Sequence, residues 1–169
     1  RDERNEPFSY GQFKNKEQEC VILSVTQNGI YIGEIYTVEE MNSLSQKYKR
    51  VYPGDFAYNP HRINVGSIGI VPNLAKYMYV SCIYPVFHVT PNSSLPPYYI
   101  LRCLKSVEYK EIINDYSIGG ARADLKLFLL GRIKIRELDK KEASDILGMT
   151  KKMEQAYNKY LVLMNKLLS

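Results

Sequence analysis

The sequence predicts an α+β fold, an irregular mixed sheet with short helices, followed by a long C-terminal helix of coiled-coil type. Three observations predict it. Short β-prone runs such as Val21 to Val25, Phe56 to Tyr58 and Met78 to Val89 are bounded by turn residues. Short helical stretches over Tyr98 to Lys105 and Val107 to Tyr116 are mixed in with them, without the regular alternation of a parallel α/β sheet. From Ile146 onward, apolar residues recur at spacings of three and four, the period of a heptad seam.

Taken in order, residues 1–19 are polar, mixed in charge and without periodicity, which predicts an N-terminal arm or linker. Val21 to Val25 is a strand, Asn28-Gly29 a hairpin-type turn and Ile30 to Ile35 a second strand. Thr37-Val38-Glu39-Glu40 fits a capping box opening a helix from Val38 to about Gln46. Arg50 to Tyr52 and Phe56 to Tyr58 are strands split by the turn Pro53-Gly54-Asp55, in which Pro presets φ and Gly accepts a positive one. Ile68 to Val71 is a further strand. Gly66 and Gly69 bracket Ser67 and Ile68, so backbone can approach another group closely there. Pro85 interrupts the β-prone run from Met78, and Thr90 to Pro97 is a loop. Gly119-Gly120 forms a turn, Asp124 is placed to cap a helix over Leu125 to Leu130, and Arg132 to Arg136 returns as a strand. The expected division is an arm over 1–19, a domain over 20–137 and a helix over 138–169.

Composition narrows the functional classes. The chain has 169 residues, 45% hydrophobic and 24% charged, as in a soluble globular protein with one core and an appendage. No apolar run reaches membrane-spanning length and no signal peptide is seen, so a cytoplasmic location without membrane partners is expected. Because the first residue is Arg1, a chain trimmed or excised from a longer one is expected. Cys20, Cys82 and Cys103 are odd in number and lack metal-ligand spacing, so buried reduced thiols are expected. A net charge of +5 and a pI near 9.0 fit a polyanionic partner. Fifteen tyrosines suit both cores and polar interfaces.

Catalytic signatures are thin. The histidines are His61 and His88, and His88 sits in the β-prone run, where a structural imidazole is expected. No zinc-protease helix, Walker loop or dinucleotide fingerprint is present. Gly66-Ser67-Ile68-Gly69 lacks the lysine of a P-loop and the spacing of a nucleophile elbow. The chain therefore reads as non-catalytic, with no cofactor and no metal of its own.

The stretch Val51 to Val71, VYPGDFAYNPHRINVGSIGIV, resembles a stretch of the target recognition domains of type I restriction-modification specificity subunits. The resemblance extends upstream through Ile22-Leu23-Ser24-Val25-Thr26-Gln27 with Asn28-Gly29, and through Lys47-Tyr48-Lys49. Downstream, Ser117-Ile118-Gly119-Gly120-Ala121-Arg122-Ala123-Asp124-Leu125 is similar to the Gly-Gly loop and helix start near that domain's end. It departs from the family pattern at Ala123-Asp124, where an Asn before the Leu is expected. The similarity covers roughly residues 20 to 137 and is followed, as in the family, by a helix.

What the resemblance implies is a DNA-binding specificity component of a restriction system. It would read one half of a bipartite site in double-stranded DNA and direct DNA methyltransferase subunits to it. Those subunits, carrying S-adenosylmethionine, would methylate adenine, and a restriction or translocase subunit would add cleavage. The C-terminal helix would be a spacer, pairing with another helix as a coiled coil, in a homodimer if the chain is a half subunit. Two alternatives stay open: the specificity region of a single-chain restriction-modification enzyme, and a protein-interaction module acting through its heptad helix without DNA.

The candidate DNA-contacting residues are Arg62, His61, Asn64, Ser67, Arg122, Lys126, Lys49 and Arg50. Arg and Asn are the side chains that read guanine and adenine edges bidentately, and both also hold phosphates. Arg62 is assigned mainly to phosphate contact or fold support, with base reading as a further role, against the alternative of a structural ion pair with Asp55. Arg122 follows the paired glycines and Lys126 lies one turn on, a plausible phosphate seat. Lys47, Lys49 and Arg50 form a third basic group. Asn73, Lys76, Asn92, Ser93 and Ser94 lie in loops of suitable polarity. The candidate helix-pairing residues are Ile146, Met149, Met153, Ala156, Tyr160, Leu163 and Leu167, against the alternative of an amphipathic helix folded onto its own domain.

Overall fold

Alternation along strand β1 (Glu19–Thr26) is what makes this chain build layers. Val21, Leu23 and Val25 face one core while Cys20 and Ile22 face another, because successive side chains of a strand point to opposite faces. The computed structural model describes residues 7, 9, 11, 13–74, 77–117 and 124–167, with backbone alone at 154, 161, 162 and 164–167. Across these residues the fold is mixed α+β, with two small sheets rather than the expected single irregular one.

The larger sheet has the order β2-β1-β6-β3, formed by β1, β2 (Gly29–Thr37), β3 (Tyr48–Val51) and β6 (Tyr77–Ser81). β1 runs antiparallel to β2 and parallel to β6, and β6 antiparallel to β3. The β1–β2 turn is one residue earlier than expected: Thr26 pairs with Gly29, leaving Gln27 and Asn28 as the connection. The Thr26 hydroxyl, which accepts from the Asn28 amide and donates to the Gly29 carbonyl, fixes that position. Helix α1 (Val38–Ser43) opens on the expected capping box, Thr37 with Glu40, but ends before Gln46.

The smaller sheet, order β5-β4-β7, comprises β4 (Phe56–Tyr58), β5 (Ile68–Ile70) and β7 (Val86–Phe87), all antiparallel. β4 is buried along its length. Ala57 contributes to the core shared with the larger sheet, whereas Phe56 and Tyr58 turn the other way. There they meet α2 (Pro97–Lys105), α3 (Val107–Tyr116) and α4 (Leu127–Leu130) through Leu104, Tyr109, Ile113, Leu129 and Leu130. The Phe56 ring stacks on Phe87 at 4.7 Å between centroids. Full burial of a side chain of this size contributes roughly 1.5–3 kcal/mol. On the outer face of the larger sheet, α1 and the arm close a third cluster, in which the Phe13 ring meets Tyr77 edge-on at 5.2 Å.

Between β3 and β4 the expected turn forms. Gly54 has φ 86°, the Asp55 amide donates to the Tyr52 carbonyl at 3.0 Å, and the Asp55 carboxylate accepts from the Tyr52 amide at 2.9 Å.

Two expected elements differ. Asp124 does not cap α4: the helix begins after Lys126, because the Leu125 amide is already bonded to the Pro60 carbonyl at 3.1 Å. Arg132 to Arg136 is not a strand. It crosses helices, not a sheet edge, and its backbone is held by tyrosine hydroxyls. Tyr99 donates to the Arg136 carbonyl at 3.2 Å, and the Arg136 amide donates to the Tyr109 hydroxyl at 3.1 Å. The closing helix, α5 (Lys140–Leu167), opens on a capping box. Asp139 accepts from the Glu142 amide at 2.8 Å and Glu142 from the Asp139 amide at 3.1 Å. Arg136 adds a two-pronged pair to Glu142, which holds that carboxyl below the usual range.

Close approach at Gly69 is tight. A Cβ there would lie 2.7 Å from Ile30 Cγ1 and 3.1 Å from the Ile30 amide nitrogen. Gly69→Ala should therefore cost about 1–3 kcal/mol through overpacking between the two sheets. A urea midpoint equal to the parent's would contradict this approach.

Candidate nucleic-acid interface

The β4–β5 connection is not a loose loop. The Asn59 amide donates to the Ser67 carbonyl at 2.9 Å, and the Arg62 amide to the Asn59 carbonyl at 3.0 Å. The Asn59 side chain accepts from the His61 amide at 3.1 Å, and the Arg62 carbonyl accepts from both Val65 and Ser67. Within this frame Ile63–Val65 makes one turn of 3-10 helix, pinned by Ile63 in the helix-side core. His61 and Arg62 are left exposed and Asn64 half-buried.

Tyr58 couples a second segment to this connection. Its hydroxyl donates to the Leu125 carbonyl at 2.9 Å, while the Leu125 amide donates to Pro60. Lys126 is thereby brought beside the Pro60–Arg62 stretch, with its ammonium on the Asp124 carboxylate. Tyr58 and Leu125 are each fully buried, and burial pushes the Tyr58 hydroxyl well above its ordinary pKa, so it stays a donor.

The expected residues thus divide. Arg62 and His61 project from a braced turn, and the Arg62 side chain makes no ion pair with Asp55 or any other described residue. Lys126 is exposed next to Leu125, whose amide is bonded to Pro60, and its ammonium is paired with Asp124. Ser67 is 2% exposed and Lys49 5%, so neither is offered to a duplex, contrary to the expectation for both. Lys49 lies opposite Val80 on the inner face of the larger sheet, because strand alternation sends Arg50 the other way. Arg50 is half-buried, its guanidinium 4.5 Å from the Tyr77 ring centroid and 5.0 Å from that of Tyr52. Arg122, the Gly119-Gly120 turn and Lys76 lie outside the described residues.

Two lysines went unnoticed in the sequence. Lys105 donates to the Gln27 carbonyl at 3.0 Å. Lys110 lies with its ammonium 3.6 Å from where a Cβ on Gly66 would be. Nothing local marks them, since the groups they approach are distant in the chain.

The closing helix uses a different stripe from the expected seam. Thr150 is 8% exposed, and Tyr157 packs on the inter-sheet core with its hydroxyl donating to the Ile30 carbonyl. Ile146 is half-buried and faces α2 across a cleft of about 470 Å³ walled by Tyr98, Leu101 and Met153. Of the other seam residues, Met149 is 66% exposed, Met153 62%, Tyr160 46% and Leu163 52%; Ala156 is also exposed. The Leu167 side chain lies outside what is described.

For chemistry, no group of three His, Cys, Asp or Glu that could hold a metal occurs among the described residues. His88, expected to be structural, is exposed just past β7. Of the cysteines, Cys20 is buried while Cys82 and Cys103 are half-buried, and burial pushes the Cys20 thiol up to about 11. No described helix is long and apolar enough to cross a membrane.

Burial holds the Lys49 ammonium below its ordinary pKa. The unfolded chain then binds more protons than the folded one between the two values, so this group adds stability as pH rises through that window. The stability of the parent relative to Lys49→Met should therefore increase between the depressed value and 10.5, in denaturation curves taken at stepped pH. A difference constant across that range would contradict the desolvated lysine.

Neither protein-family models nor curated proteins give a match to this chain.

Proposed function

We propose that this chain is a DNA target recognition component of a restriction-modification system. It reads one half of a bipartite site in double-stranded DNA and directs adenine methyltransferase subunits there. The observation that carries the reading is the β4–β5 turn. It lies within the stretch that resembles type I specificity domains, and it holds Arg62 exposed, braced by backbone bonds and without a carboxylate partner among the described residues. An unpaired guanidinium on a braced turn is suited to a phosphate or a guanine edge. The chain supplies address, and the chemistry belongs to the partner subunits, which carry S-adenosylmethionine. A restriction or translocase subunit would join the same assembly.

The exposed apolar stripe Met149, Met153, Tyr160 and Leu163 supports a pairing role for the closing helix. Paired through it, two copies would read a gapped inverted repeat, since a two-fold protein reads a two-fold site. The same stripe also favours a second reading, a protein-interaction module with no DNA partner. Salt separates the two: DNA affinity should fall with a log-log slope of about −0.9 per phosphate neutralised, and a protein-only module shows no such binding.

Modified-base sequencing of the source genome with and without this gene tests the function directly. Loss of adenine methylation at a gapped site is expected; methylation that is present and unaffected would sink the reading. Arg62→Ala should weaken duplex binding and keep the parent's thermal transition. Loss of that transition would make Arg62 structural. Met153→Glu combined with Tyr160→Glu should convert an assembled parent to monomer by light scattering; unchanged molar mass would rule out pairing through this stripe.

A further inference from the structure

We infer that Lys105 and Lys110 form a seat for a backbone phosphate of duplex DNA, at the junction of the β1–β2 turn, the 3-10 turn and helices α2 and α3. This rests on the DNA-recognition reading above and extends its surface to residues that the resemblance does not mark.

Four elements converge there. Lys105, at the end of α2, spends one donor on the Gln27 carbonyl at 3.0 Å, leaving two of its three N–H groups for another acceptor. Lys110, on the first half of α3, crosses Gly66, with Cε 3.4 Å and Nζ 3.6 Å from the position a Cβ would take. That same position is 3.9 Å from the Gln27 carbonyl, so both ammonium groups share one small neighbourhood. Gly66 has φ 89° and ends the 3-10 turn that Arg62 begins. A side chain there would be strained by the positive φ and would touch the Lys110 stem.

Charge makes the junction a site rather than a coincidence. Neither lysine forms an ion pair with a described residue. Partial burial and the like charge of Lys110 hold the Lys105 ammonium below its ordinary pKa. Two cations in one neighbourhood without a carboxylate gain from an anion placed between them. Exposed around them are Gln27, Asn28 and, one 3-10 turn away, Arg62. A phosphodiester fits this set, as an anion seated on cations with amide side chains beside it.

The test is duplex binding by the full chain, measured by fluorescence anisotropy on mixed-sequence duplex fragments between about 50 and 200 mM salt. Lys110→Gln should reduce the magnitude of the log-log salt slope by about 0.9, and the double change with Lys105→Gln by about twice that. Lys14→Gln, on the exposed arm that packs against the opposite face of the larger sheet, should leave the slope unchanged. If the parent binds with a steep slope and the Lys110 variant keeps it, the seat is wrong and the recognition reading stands. If Lys14→Gln lowers the slope equally, the effect is general charge and the seat is again wrong. A parent that shows no salt-dependent binding overturns both. The Lys110 side chain makes no hydrogen bond among the described residues, so its variant reports on binding even if Lys105→Gln fails to fold.

Discussion

Strand β4 is the constraint on which the rest depends. It has three residues, all buried, and it serves two cores at once: Ala57 toward the larger sheet, Phe56 and Tyr58 toward the helices. Because the side-chain period of a strand is two, a slip of one residue would send both aromatics into the space that Ala57 occupies. That space is narrow, as Gly69 on the neighbouring strand shows by its approach to Ile30. The register of β4 is fixed from both ends. Asp55 locks the turn before it, and Tyr58 ties Leu125 after it.

The same constraint reaches the surface. A connection leaving a slack strand would carry its basic residues on a flexible tether, and ordering them on binding would cost entropy. Here the connection leaves a strand that cannot slip, closes on itself through Asn59, Arg62 and Ser67, and is anchored by Ile63. His61 and Arg62 are exposed because their neighbours are not. The burial of Ser67 is part of that bracing: its backbone closes the turn, and its side chain goes inward with the rest.

Local chemistry was what the sequence made legible. The capping box at Thr37, the Pro53-Gly54 turn and the start and end of α3 each follow from residues within a few positions of one another. What escaped was set by groups distant in the chain. Asp124 reads as a helix cap until Pro60 claims the Leu125 amide. Arg132 to Arg136 reads as a strand until two tyrosine hydroxyls take its backbone groups. Lys49 looks like one of three surface cations, and only the pairing of β3 with β6 reveals which of two adjacent basic residues turns inward. Lys105 and Lys110 carry no motif at all.

The closing helix shows the limit of periodicity in its sharpest form. A spacing of three and four specifies that one side of α5 is apolar, but not which neighbour that side meets. Thr150 and Tyr157 dock the helix, and with Ile146 they define a stripe roughly 70° around the helix from the centre of the heptad seam, at 3.6 residues per turn. Tyr157 docks because its hydroxyl finds the Ile30 carbonyl as its ring covers the core, a pairing that a hydropathy count does not see. The helix therefore spends one stripe on its own fold and keeps the next one apolar and exposed. Met149, Met153, Tyr160 and Leu163 stay largely exposed on that next stripe, with Met149 and Met153 bordering the cleft against α2. The offset between the two stripes is what lets one helix hold the domain and still leave a second apolar stripe exposed.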